Sequence, residues 1–187
     1  MRTALGIAHR CEDHSVITTF LVNHAAAVRV LFWVALIAFA ALGWFVYRRG
    51  TRWLLTTLTV VSVVGAVALT MTPDGNGGNG TFCTVQFSVP FRGIDTLANV
   101  ALLFPVTLFA GLRTARPVRA VAAASGFSAA VELLQALVPS LGRACDTDDW
   151  FMNTVGAVLA GLVALGIIAI DRRAPRGPEQ SPRQSVP

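Results

Sequence analysis

The sequence has no lysine: all 15 of its basic residues are arginines. Charge of either sign is scarce. Asp, Glu, Lys and Arg make up 13% of the 187 residues, against about 25% in an ordinary soluble domain. So thin a charged shell argues against a soluble globular fold. The missing lysine also excludes a Walker phosphate loop, although residues 72–80, TPDGNGGNG, have glycines enough to suggest one. No other cofactor motif is present, and no cofactor is expected. The three cysteines, Cys11, Cys83 and Cys145, form no CxxC pair, which excludes a zinc ribbon or a dithiol redox motif. The three histidines, His9, His14 and His24, all precede the first long apolar run, so the remainder of the chain offers no imidazole base. Residues 1–28 lack the clean apolar core of a secretory signal, and no cleavable leader is expected.

What fills the chain instead is apolar. Such residues account for 54% of it, and charge is confined to clusters between nearly charge-free runs. That layout predicts an all-α, polytopic integral membrane helical bundle. Five spans are predicted: residues 28–47, 53–71, 96–112, 120–139 and 150–170. About 20 helical residues cross the apolar core of a bilayer. The third run is short and holds Pro105, which should kink it, so four spans is the competing count. The expected organisation is an N-terminal segment over 1–27, a transmembrane domain over 28–171 and a disordered Pro- and Arg-rich tail over 172–187.

The arginines report topology. Arg48, Arg49 and Arg52, then Arg113, Arg116 and Arg119, then Arg172, Arg173 and Arg176 follow alternate spans and fall on one side. By the positive-inside rule that side is the cytoplasm, with the N-terminus, residues 72–95 and residues 140–149 outside. Because the arginines flank spans rather than forming one stripe, membrane lipid is the expected partner and nucleic acid is not. The predicted outer loops carry Asp74, Asp95, Asp146, Asp148 and Asp149 against only Arg92 and Arg143. Cys83 and Cys145 also fall on that side, where a disulfide and two free thiols both remain open.

Several polar residues sit where apolar ones would be cheaper. Glu132 lies inside the fourth span, roughly 10 Å along the helix from its outer end. An ionisable group at that depth usually faces protein or a wet cavity. Ser128, four residues back, and Gln135, three residues on, share its face. Asp95 and Asn99 are four apart in the third span, as are Asp149 and Asn153 in the fifth. Three spans thus bring carboxylates and amides to a similar outer depth. The plainer roles stand beside this one. Asp95, Asp148 and Asp149 are suited to capping helix starts, and Gln135 to a helix contact. Arg143 either neutralises the acidic run or holds a ligand anion. In the fifth span Gly156, Ala160 and Ala164, with Gly161 adjacent, form a small-residue ridge for close helix packing.

Three stretches together resemble the VanZ-like family of small membrane proteins: DTLANVALLFP from Asp95, ELLQ from Glu132, and GRACDTDDWFMNTVGAVLAG from Gly142. The resemblance covers residues 95–161, whereas the first two spans agree only in being apolar. Where family members often have PFG or PLG, this chain has Pro105-Val106-Thr107. The family takes its name from a protein linked to low-level teicoplanin resistance. The resemblance therefore implies a link to glycopeptide susceptibility. The expected role is that of a cell-envelope protein whose outward-facing polar pocket takes a glycopeptide, a lipid-linked wall precursor or an anionic lipid. The candidate ligand-binding residues are Asp95, Asn99, Glu132, Gln135, Arg143, Asp146, Asp148, Asp149 and Asn153. Two alternatives remain: a Mg²⁺-dependent enzyme acting on a lipid phosphate, and a small transporter with Glu132 as proton carrier, for which an oligomer would supply the path.

Overall fold

A computed structural model of the chain describes residues 24–72, 83–138 and 145–173. Those residues include five helices long and apolar enough to cross a membrane. They are α1 (Ala25–Arg48), α2 (Arg52–Met71), α3 (Ile94–Thr114), α4 (Pro117–Leu137) and α5 (Thr147–Arg173). Among the described residues the only β feature is an isolated parallel bridge between Thr84 and Asp146.

The ends of these helices follow from local chemistry. α1 stops at the Arg48–Arg49 pair, whose guanidinium groups lie over the rings of Trp44 and Phe45 at 5.8 and 4.2 Å. Gly50, with φ +67°, then turns the chain into α2 at a left-handed angle that costs a glycine little. Within α2, Thr56, Thr57, Thr59 and Thr70 donate their hydroxyls to carbonyls one turn back. These groups therefore bring no unmet polar demand into a bilayer. α4 opens on Pro117, whose missing N–H is no loss in a first turn.

The third run is longer than its apolar core suggests, and the four-span alternative falls with it. α3 extends over Ile94–Thr114 and continues beyond Pro105. Asp95 enters its first turn and Arg113 its last, each the sign of charge that the helix dipole favours there. The same effect lengthens α5, which takes in Asp148 and Asp149 at one end and Arg172 and Arg173 at the other. α4 instead begins at Pro117 and ends at Leu137, short of the expected Pro139. The predicted N-terminal segment and tail lie largely outside the described residues.

α3 is the central element and packs against each of the other four helices, most extensively against α5. Val100, Leu103, Phe104, Leu108, Phe109 and Leu112 of α3 are all almost fully buried. α1 and α2 are the outer elements. Val30, Leu31 and Ile37 of α1 and Val60, Val61 and Leu69 of α2 are exposed. A soluble protein would bury such faces, whereas a bilayer solvates them.

The close α3–α5 approach depends on the small-residue ridge. Gly156, Ala157, Ala160, Gly161 and Ala164 are buried. A Cβ at Gly156 would stand 2.1 Å from the carbonyl oxygen of Val100 on α3, while one at Gly161 would stand 2.5 Å from Val121 Cγ2 on α4, where the ridge serves a second helix. The first obstacle is backbone and cannot rotate away.

Candidate functional site

The polar residues of α3, α4 and α5 meet near the N-terminal end of α5. Asp146, the residue before that helix, accepts the N–H of Asp148 on Oδ1 at 2.9 Å. This is a helix cap, and it corrects the expectation that Asp148 or Asp149 would fill that role. Asp148 is buried and holds a different segment, since its Oδ1 accepts the backbone N–H of Ser88 at 2.7 Å. Asp149 accepts a hydrogen bond from the side-chain amide of Asn99 on α3.

Glu132 of α4 is buried, and its Oε2 accepts the backbone N–H of Asp146 at 2.9 Å. The in-membrane carboxyl is thus joined to the loop that starts α5. One turn deeper, Asn153 donates its amide to Ser128 Oγ at 3.0 Å. Ser125 and Thr154 share a further hydroxyl contact at 2.9 Å. Gln135 is engaged elsewhere, donating to the carbonyl of Thr70 at 3.1 Å. That carbonyl belongs to the last turn of α2, where no intrahelical N–H remains to bind it. Gln135 therefore ties α4 to α2.

Of the nine sequence candidates, Asn99, Glu132, Asp146, Asp148, Asp149 and Asn153 belong to one connected region. Gln135 adjoins it through α4. Asp95 is exposed in the first turn of α3 and makes no hydrogen bond among the described residues. Arg143 lies outside the described residues.

A further part of the site escaped the sequence reading. Residues 83–89 run extended past the start of α5. Thr84 donates its N–H to the Cys145 carbonyl at 2.9 Å and accepts the Thr147 N–H at 3.1 Å. Gln86 Nε2 donates to Asp146 Oδ2 at 2.6 Å, and the Gln86 N–H donates to Thr147 Oγ1 at 3.1 Å. Polar residues alternate at 84, 86 and 88, while Val85, Phe87 and Val89 are exposed. That two-residue period was the available signal. A disulfide between Cys83 and Cys145, whose Cα atoms are 4.5 Å apart, fastens the segment at one end.

Among the described residues, two buried atoms in this layer lack hydrogen-bond partners, Asn153 Oδ1 and Trp150 Nε1. One is an acceptor and the other a donor. They lie three residues apart, on neighbouring parts of one helix face. Among the described residues, no group of three or more His, Cys, Asp or Glu side chains is placed to hold a metal ion. The carboxyl groups are instead occupied by amide and backbone donors.

One consequence is measurable on stability alone. Glu132→Ala leaves the Asp146 N–H without its acceptor and should cost about 2 kcal/mol, the penalty of an unsatisfied buried group. Glu132→Gln retains a carbonyl oxygen for that N–H and should cost less than about 1 kcal/mol. Reversible unfolding in detergent micelles checks both. Equal losses would mean that charge, rather than the acceptor, holds the loop.

No curated protein and no solved structure shows significant similarity to the chain. A family model, described as VanZ/LLP1, matches residues 32–169. The match begins in α1 and ends in α5, so it takes in the two outer helices as well as the polar layer. With most of its length covered, the chain belongs to the VanZ/LLP1 family.

Proposed function

We propose that the protein acts in the cell envelope, with the polar end of the bundle facing outward, and that it lowers susceptibility to glycopeptides such as teicoplanin. The arginine end faces the cytoplasm in this reading. The positive-inside rule supports that orientation. So does the Cys83–Cys145 disulfide at the opposite end, since such bonds persist on oxidising faces of a membrane and not in the cytosol.

The observation that carries the reading is the pair of unpartnered buried atoms, Asn153 Oδ1 and Trp150 Nε1, within a layer of carboxyl and amide groups. Burying such groups unpaired is costly. A ligand rich in amides or sugar hydroxyls supplies both a donor and an acceptor, and glycopeptides and wall precursors are of that class. Asn99, Glu132, Asp148 and Asp149 then hold the layer in shape, and Arg143, a few residues before α5 in sequence, meets an anionic group of the ligand.

The test is teicoplanin susceptibility of a sensitive bacterial host carrying empty vector, wild type, Glu132→Gln or Asp148→Asn at matched membrane levels. Both variants keep one oxygen acceptor, lose the charge and exchange the second oxygen for an amide NH2. Wild type should raise the inhibitory concentration several-fold, and both variants should return it toward the vector value. A wild-type strain indistinguishable from vector would overturn the proposal. Full resistance in both variants would remove the carboxylate charges from the mechanism.

A further inference from the structure

The end of the bundle opposite the disulfide holds an open cavity of about 790 Å³. Pockets that take small molecules are commonly about 300–1,000 Å³. Its wall carries Arg52 from α2, Arg113 from α3, and Arg116 and Arg119 from the α3–α4 turn and α4. Asp171 of α5 is the one carboxylate residue in the same lining as these four arginines. Among the described residues none of the four is ion-paired, and Arg113 directs its Nε to Thr56 Oγ1 at 2.9 Å.

Two helix starts add to the positive field. α2 and α4 both begin at this cavity, neither has an acidic residue in its first turn, and neither is capped by a side chain. The positive end of each helix dipole favours an anion there. Most of the remaining lining is apolar, including Leu55, Ala110, Leu112, Ala120 and Ala123, with Tyr47 and Thr114 adding hydroxyls. A wholly soluble anion would gain nothing from such a wall. An amphiphile with a phosphate head would use both halves of it.

We infer that this cavity binds the phosphate headgroup of an anionic membrane lipid, with Arg113, Arg116 and Arg119 as its principal contacts. Basic pockets between spans, at the level of the lipid headgroups, are suited to that chemistry. Arg116, the N-cap of α4, and Arg119, three residues on, both line the cavity, and each carries a planar donor fork suited to phosphate. The site is remote from the polar layer at the start of α5, and the inference does not depend on what that layer binds.

The experiment uses the full chain in phosphatidylcholine nanodiscs or micelles, with bound lipid counted by native mass spectrometry. Phosphatidylglycerol, extra phosphatidylcholine and glycerol 3-phosphate are the three probes. Phosphatidylglycerol should bind saturably, and the Arg113→Gln/Arg116→Gln/Arg119→Gln variant should bind it at least ~10-fold more weakly. Phosphatidylcholine should show no saturable binding, and glycerol 3-phosphate should bind far more weakly than the lipid. A second triple variant, Arg48→Gln/Arg49→Gln/Arg173→Gln, removes equal charge from the same end but outside the cavity lining, and should bind nearly as wild type. If the cavity triple variant does not fold, Arg116→Gln/Arg119→Gln spares the Arg113–Thr56 contact and carries the same expectation. Equal loss in the cavity and control variants would overturn the inference in favour of diffuse surface charge. Glycerol 3-phosphate binding as tightly as the lipid would overturn the lipid assignment.

Discussion

Gly156→Val is expected to cost the protein about 3 kcal/mol or more and to leave little folded material in detergent. Extra carbons in a tight contact usually cost about 1–3 kcal/mol, because neighbouring side chains shift to admit them. Here the obstacle is the peptide carbonyl of Val100, whose oxygen lies only 2.1 Å from where a Cβ would stand. Neither α3 nor α5 can relieve that clash without moving as a unit, and α3 is packed on all four other helices. Even Gly156→Ala should be clearly destabilising. Gly166, on the same helix, is the control: nothing lies within 4 Å of a Cβ placed there. Gly166→Ala should be neutral or stabilising by up to about 1 kcal/mol, because alanine favours the helix. Unfolding curves for the three variants in one detergent decide the matter. Similar losses at 156 and 166 would remove close packing as the cause.

Loss of the Cys83–Cys145 disulfide should have the next largest effect. The two residues are 62 apart in sequence. If the unfolded chain were a random coil, closing that loop would be worth about 4 kcal/mol. A membrane changes the reference state. α3 and α4 lie between the cysteines, and both remain helical in a bilayer even when the bundle comes apart. Two spans already return the chain to the side from which it left. The expected loss for Cys83→Ala/Cys145→Ala is therefore nearer to about 2 kcal/mol. Each single variant should behave like the double, since either one abolishes the bond. Reductant should move wild type to the same unfolding midpoint and leave the double variant unchanged. The loss should also loosen residues 84–88, which are held to α5 by Thr84, Gln86 and Ser88. Faster amide exchange confined to that segment and the first turn of α5 is the local signature.

The fold is legible in the sequence because the bilayer imposes it. Runs of about 20 apolar residues between arginine clusters admit few arrangements. The ridge at Gly156, Ala160 and Ala164 was readable for the same reason, since small residues at helical spacing have one main use in a membrane. What hydropathy missed was length at the ends. Asp95, Asp148 and Asp149 look like loop residues by polarity, yet the helix dipole draws them into first turns.

The site was legible where both partners are side chains on helices. Spacing puts these side chains at a common depth, and the structure adds the pairs across helices, Asn99 with Asp149 and Asn153 with Ser128. It was illegible where one partner is backbone. Nothing in the sequence marks the Asp146 N–H as the target of Glu132, or the Ser88 N–H as that of Asp148. Gln135 makes the helix contact to which it is suited, donating to the Thr70 carbonyl. Asp95 shares a helix face with Asn99 but stands apart from the hydrogen-bonded region.

The proposed function requires the disulfide end of the bundle to face outward and the arginine end inward. Thiol labelling in intact spheroplasts tests this orientation most directly, in a Cys11→Ser background. After treatment with a membrane-impermeant reductant, an impermeant maleimide should label Cys83 and Cys145 without lysis. In a separate variant, Thr114→Cys at the arginine end should be labelled only after the membrane is opened. Labelling of Thr114→Cys in intact spheroplasts, with Cys83 and Cys145 protected until lysis, would invert the protein and contradict the proposed outward-facing role.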